Sequence, residues 1–147
     1  MKNILVAIDN FETTTIASPI IARTIELANA FSSKVWMLHV APQSGQAPFN
    51  IDKTVLRSEV AHQLHDEHDY CLQLSKCLRD RNVEARSLMI EGAIVKTILH
   101  ESERLNIDLI ILGCHRHSKL FGALTKGTEE GLLGKCTRPV MFVPVPE

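Results

Sequence analysis

The residues best placed to do chemistry sit at the ends of two apolar runs. Asp9 follows Ile4-Leu5-Val6-Ala7-Ile8, and Gly113 closes Leu109-Ile110-Ile111-Leu112. A carboxylate can accept hydrogen bonds from hydroxyls or from an amine. Beyond Gly113, the stretch from Cys114 to Lys126 contains Arg116, Lys119 and Lys126 together with His115 and His117, and no acid. An anion suits such a loop, because arginine grips phosphate bidentately and lysine meets it as a point charge. The bland alternative is a solvated basic edge.

Other clusters carry less. His62, His65 and His68 lie among Asp66, Glu67 and Asp69, but residues three apart drift around a helix and no histidine pair four apart is present to chelate a metal. These residues read as a solvated polar face. Cys114, His115, His117 and Cys136 match no zinc spacing, and no metal is expected. The chain has no G-x-S-x-G elbow, no Walker lysine motif, no G-x-G-x-x-G after its first strand and no carboxylate pair sharing a crevice. Asp9 alone is not a mechanism, and no residue stands out as the base that would activate water. A binding module is expected rather than an enzyme, with slow hydrolysis of a bound ligand the lesser alternative.

Bulk properties narrow the setting. With 147 residues the chain has the usual size of one domain, 1–147, and its 45% hydrophobic and 22% charged residues are those of a folded globular protein. Sixteen Lys+Arg against seventeen Asp+Glu leave a net charge of -1, which offers no overall field to hold nucleic acid. No uncharged stretch reaches membrane-spanning length, and the apolar run near the N-terminus is too short for a signal-peptide core. A cytoplasmic address without membrane association is expected. There, Cys71, Cys77, Cys114 and Cys136 act as small hydrophobes rather than disulfide partners.

The elements that must position Asp9 and Gly113 follow from apolar periodicity. Ile4 to Ile8 and Leu109 to Gly113 are continuous apolar runs, the pattern of parallel strands covered on both faces. Val35 to Val40 reads as the second strand, with His39 and Val40 at its end; Val83 to Ile90 is the third, and Val140 to Val143, between Pro139 and Pro144, is the last. Helical spacing marks Ile16 to Phe31, with Pro19 early enough to fall among the unpaired donors of the first turn. A long helix carries Leu56, Val60, Leu64, Cys71, Leu74 and Leu78 on one face and ends near Arg81-Asn82. Further helices run from Ala93 to Leu105 and from about Thr128 to Lys135. Ala41 to Asn50, with Pro42, Gly45 and Pro48, is the long irregular connection and the candidate flap. Strands alternating with helices predict right-handed βαβ units in a doubly wound α/β sheet.

In order along the chain, Ile4-Leu5-Val6-Ala7-Ile8-Asp9, Leu38-His39-Val40, Ile110-Ile111-Leu112-Gly113-Cys114-His115 and Arg138-Pro139-Val140-Met141-Phe142-Val143-Pro144 resemble the universal stress protein family. The resemblance implies a five-stranded parallel sheet in the order 3-2-1-4-5, with helices on both faces and a crevice between strands one and four. In members that bind ATP, the adenine and ribose side corresponds to Ala7, Asp9, Val40 and Leu112. Their phosphate loop, G-x2-G-x9-G-[ST], begins at Gly113 but meets Arg116 at its second glycine. Without a gap, Lys126 and Gly127 take the last two places; one inserted residue restores Gly127-Thr128. The cationic side chains are expected to replace part of the missing backbone cradle. ATP or AMP is the implied ligand, with Mg²⁺ beside a triphosphate, and the implied homodimer pairs Val140, Met141, Phe142 and Val143 with their copies.

Overall fold

The computed structural model describes residues 1–8, 17–41, 53–114 and 131–144, with side chains at all of these except 53–64 and 114. Asp9, Arg116, Gly127 and Thr128, the flap beyond Ala41 and the first part of the helix expected from Thr128 lie outside the described residues. The strands are β1 (Asn3–Ile8), β2 (Lys34–Ala41), β3 (Ala85–Glu91), β4 (Leu109–Cys114) and β5 (Val140–Pro144). Between them run α1 (Pro19–Phe31), α2 (Lys53–Arg79), α3 (Ile94–Arg104) and α4 (Leu132–Lys135).

All strand pairs are parallel, and the sheet order is β3-β2-β1-β4-β5. The alternation of side chains along each strand divides the core in two. Ile4, Val6 and Ile8 of β1 join Val35 and Met37 of β2, Leu109 and Ile111 of β4 and Val143 of β5 beneath α1 and α2. On the other face, Leu5 and Ala7 join Leu38, Ile110 and Leu112 beneath α3 and α4, which contribute Ile98 and Leu132. A strand with helices on both faces has no polar side to show, which is why β1 and β4 are continuous apolar runs.

Local chemistry sets the boundaries. Pro19 takes the first position of α1, where its missing N–H is not needed, and Ser18 precedes it in extended conformation. The helix therefore begins later than the apolar spacing from Ile16 suggests. Each of the first three helices is followed by a left-handed residue: Ser32 (φ 53), Asn82 (φ 65) and Asn106 (φ 50). A reversed backbone there lets the chain turn off the helix axis, and asparagine tolerates it better than most residues. At the first exit the N–H of Ser33 reaches back to the carbonyl of Ala28 at 2.9 Å. β3 is shorter than expected, because Val83 and Glu84 still belong to the exit from α2. Val83 is nevertheless buried in the same cluster as Leu78 and Ala85, and its N–H bonds to the carbonyl of Leu78 at 3.1 Å.

At the opposite end of the sheet from the strand tips, Asp108 fastens the chain's start. Its carboxylate accepts the backbone N–H groups of Asn3 at 2.9 Å and Lys2 at 2.7 Å. These bonds, that of Asn3 foremost, hold the Asp108 carboxyl below the ordinary aspartate range. A lowered folded value means the stabilisation is present above the unfolded aspartate range and is lost as pH falls through the folded one. Thermal unfolding should therefore show the melting temperature of Asp108→Asn falling less between pH 5 and pH 3 than that of the native chain, a window set by the aspartate reference of about 3.9. Equal acid sensitivity of both proteins would remove Asp108 from this role.

Candidate functional site

β1 lies between β2 and β4, and its register is set on both sides. Ala7 stands opposite Leu38 of β2 and opposite Leu112 of β4. The chain leaves β1 toward α1, which packs on one face, whereas α4, beyond β4, packs on the other. Helices that part in this way leave a crevice at the carboxyl ends of the two strands, the place where open α/β sheets take ligands. Ile8 is the last residue of β1, and Asp9 is the next residue in the sequence.

The candidate residues within the described chain differ in depth. Ala7 and Leu112 are buried, whereas Val40 and Gly113 are half-buried. Ala7, Val40 and Leu112 share the α3 face of the sheet. Val40 stands opposite Ile90 of β3, and Gly113 opposite Val143 of β5. The structure thus brings Ala7 and Leu112 together as an apolar floor, with Val40 farther along the row and Gly113 nearer the rim. A small residue at position 7 and an absent side chain at 113 keep bulk away from the strand tips, and apolar walls suit the faces of a planar ring.

The other face of the same strand tips holds polar chemistry that periodicity did not single out. His39 is buried; its Nδ1 lies 3.1 Å from the carbonyl oxygen of Ile8, and its Nε2 lies 2.9 Å from Oε2 of Glu67 on α2. A signal was present: Glu67 falls four residues before Cys71 and seven before Leu74, on the stripe that α2 turns to the core. A carboxylate on an apolar stripe needs a partner, and the lone histidine of a buried strand is a ready one. Cys71, on the same stripe, is fully buried. Burial, and then the charge of Glu67, push its thiol up to about 12, which makes it a packing residue and not a nucleophile. His65 and His68 are exposed, and His65 meets Asp69 at 3.4 Å.

The match to known proteins agrees with this geometry. The model of the universal stress protein family matches residues 1–144. The chain belongs to the universal stress protein family. A universal stress protein family member from Burkholderia pseudomallei superposes with a TM-score of 0.71 at 18% identity, over 97% of this chain and 96% of that one. The universal stress protein of Archaeoglobus fulgidus in complex with dAMP gives a TM-score of 0.61 at 14% identity, over 99% of this chain and 98% of that one. Another universal stress protein, in complex with cAMP, gives 0.64 at 14% identity over the same shares. At these identities the likeness is one of fold. No curated protein matches the sequence closely enough to count as a relative.

The difference in depth between floor and rim is measurable in this universal stress protein. Leu112→Ala should cost about 3 kcal/mol in equilibrium urea unfolding, as expected for a fully buried leucine. Val40→Ser, at a half-buried position, should cost about 1 kcal/mol. Equal costs would contradict the placement of Val40 at a more open part of the row.

Proposed function

We propose that this universal stress protein is a small dimeric cytoplasmic stress-response module that binds an adenine nucleotide, ATP or AMP, in the crevice between β1 and β4. The observation that carries the reading is the pairing of β1 with β4 at a point where the following helices take opposite faces. Ala7, Val40 and Leu112 are the apolar walls for the base, and Asp9 accepts from the ribose hydroxyls or the adenine amine. Gly113 admits the backbone close to the phosphates. Arg116, with Gly127 and Thr128, meets the phosphates from the basic loop, and Mg²⁺ accompanies a triphosphate. The dAMP and cAMP complexes of structurally similar universal stress proteins support an adenine-containing ligand. Asp9 supplies recognition, and the module works by occupancy rather than turnover.

The second half of the reading concerns the sheet edge. β5 is the outermost strand on its side, and Val140, Met141 and Phe142 remain half-buried while Val143 is buried. An apolar edge strand is a template for pairing, and two-fold association lets the same strand serve both partners. Antiparallel contact of β5 with its copy would cover these residues. Among the described residues no helix is long and apolar enough to cross a membrane.

Isothermal titration with ATP and with AMP tests the ligand. Heat with a dissociation constant below about 1 mM is expected, and Asp9→Asn should weaken binding about tenfold, the loss of a charge-assisted hydrogen bond. Absence of heat at millimolar nucleotide overturns the proposal and leaves a module that works through its surfaces alone. Light scattering at micromolar protein should give twice the chain mass of 16.4 kDa; a monomer would overturn the dimer.

A further inference from the structure

The backbone groups that β5 turns outward follow from its inner ladder. The N–H of Ile110 donates to the carbonyl of Pro139 at 2.9 Å, and Ile110 is matched with Val140. Along a strand each residue sends its N–H and its C=O to the same side, and that side alternates from one residue to the next. Pro139, Met141 and Val143 therefore point their backbone groups at β4. Val140, Phe142 and Pro144 point theirs away from it, and among the described residues no strand pairs with that edge. The outward row is unequal. Val140 and Phe142 each offer a donor and an acceptor, whereas Pro144 has a carbonyl and no N–H.

That inequality bears on how a second copy fits. In an antiparallel pair only the outward groups reach the partner, so even-numbered positions must face even-numbered ones, and the two-fold axis lies level with a residue. With the axis at Phe142, each Phe142 exchanges bonds with its copy, but Val140 faces the partner's Pro144 and its carbonyl finds no donor. With the axis at Val143, the carbonyl of Phe142 meets the same missing N–H. With the axis at Val140, Phe142 faces the partner's Arg138, which precedes β5. The axis at Met141 has none of these defects. Val140 then faces the partner's Phe142, Phe142 faces the partner's Val140, and every outward donor and acceptor of both residues is engaged. Pro139 falls opposite the partner's Val143, where neither has an outward group to satisfy, and no ladder bond is asked of Pro144. An acceptor sealed in an interface without a donor is costly, which sets this register apart from its neighbours.

We propose that two copies of β5 pair antiparallel about an axis at Met141, and that Pro144, through its missing N–H, selects this register. Val140 and the partner's Phe142 form the hydrogen-bonded pairs. Met141 meets its own copy as a non-hydrogen-bonded pair, with Cα atoms about 4.5 Å apart. Met141 belongs to the core cluster beneath α1, and Val140 and Phe142 to the cluster beneath α3 and α4, so each apolar face runs on across the axis. Pro139 and Pro144 bound the paired stretch, as prolines at strand ends do. This register presupposes the β5 dimer proposed above and adds which residues meet in it.

Cysteine cross-linking in the full chain reads the register directly. The background chain carries Cys77→Ser, Cys114→Ser and Cys136→Ser and keeps Cys71, which is fully buried. Light scattering gives its mass, and oxidation by copper–phenanthroline in air should leave it unlinked. Val140, Met141 and Phe142 are then replaced by cysteine one at a time. Met141→Cys should become mainly covalent dimer on a non-reducing gel. Val140→Cys and Phe142→Cys should stay unlinked, because in this register each lies diagonally from its copy at about 7–8 Å, and a disulfide spans no more than about 7 Å between Cα atoms. Adding Pro144→Ala to Phe142→Cys supplies the missing donor and should let that variant link as well. A dimer that links through Phe142→Cys and not through Met141→Cys overturns the register and leaves the dimer standing. If Pro144→Ala changes nothing in the linking pattern, proline does not select the register. A monomeric background chain removes dimer and register together.

Discussion

The parallel pairing of β1 with β4 is the constraint on which the structure depends. Ile4 to Ala7 are matched with Leu109 to Leu112, and this one ladder joins the half of the sheet built from β1 to β3 to the half built from β4 and β5. Every side chain in the matched segments is buried, at no more than 6% exposure. A shift of register by one residue would carry each of them to the opposite face, exchanging the volumes that α1 and α2 meet with those that α3 and α4 meet. Because both faces are closed-packed, the register is specified twice. The crevice inherits that precision, since its floor is made from the last residues of the same ladder.

How much of this was legible in the sequence depended on whether a residue's neighbours along the chain were also its neighbours in space. Continuous apolar runs announced β1 and β4, and proline and asparagine announced where helices start and stop, because these are local effects of burial and backbone geometry. The strand order came from resemblance to a family, since nothing local distinguishes β4 from β2 as the far neighbour of β1. Apolar spacing places Val83 in a strand, whereas in the fold it precedes β3, with its N–H bonded to the carbonyl of Leu78 at the exit from α2. The His39–Glu67 contact spans 28 residues and two elements. It was visible only as two oddities, a histidine in an apolar strand and a glutamate on an apolar stripe, and neither names the other.

The two faces of the sheet treat polar groups differently, and the contrast follows from what covers each strand tip. On the α3 face, Ala7 and Leu112 present only apolar side chains at depth. On the α2 face, the same tips are closed by a histidine whose two nitrogens are both engaged. A fold whose strand tips were apolar on both faces would leave the carbonyl of Ile8 to find other partners, at a position where the chain is turning out of the sheet. The ring of His39 supplies a donor there without adding a strand residue.

That arrangement explains why a buried imidazole is tolerated beside a core of isoleucine, leucine and valine. Burying one ionisable group alone is costly, and burying a histidine with a carboxylate is costly in desolvation but compensated when each hydrogen and lone pair has a partner. Here the ring is engaged at both nitrogens, and the side chain of Glu67 remains partly exposed. A leucine at position 39 would avoid the desolvation, yet it would remove the contacts of the ring with Ile8 and Glu67. The strand tips next to the crevice are therefore held in part by polar contacts of one side chain, while the ladder beneath them is made only of apolar side chains and backbone.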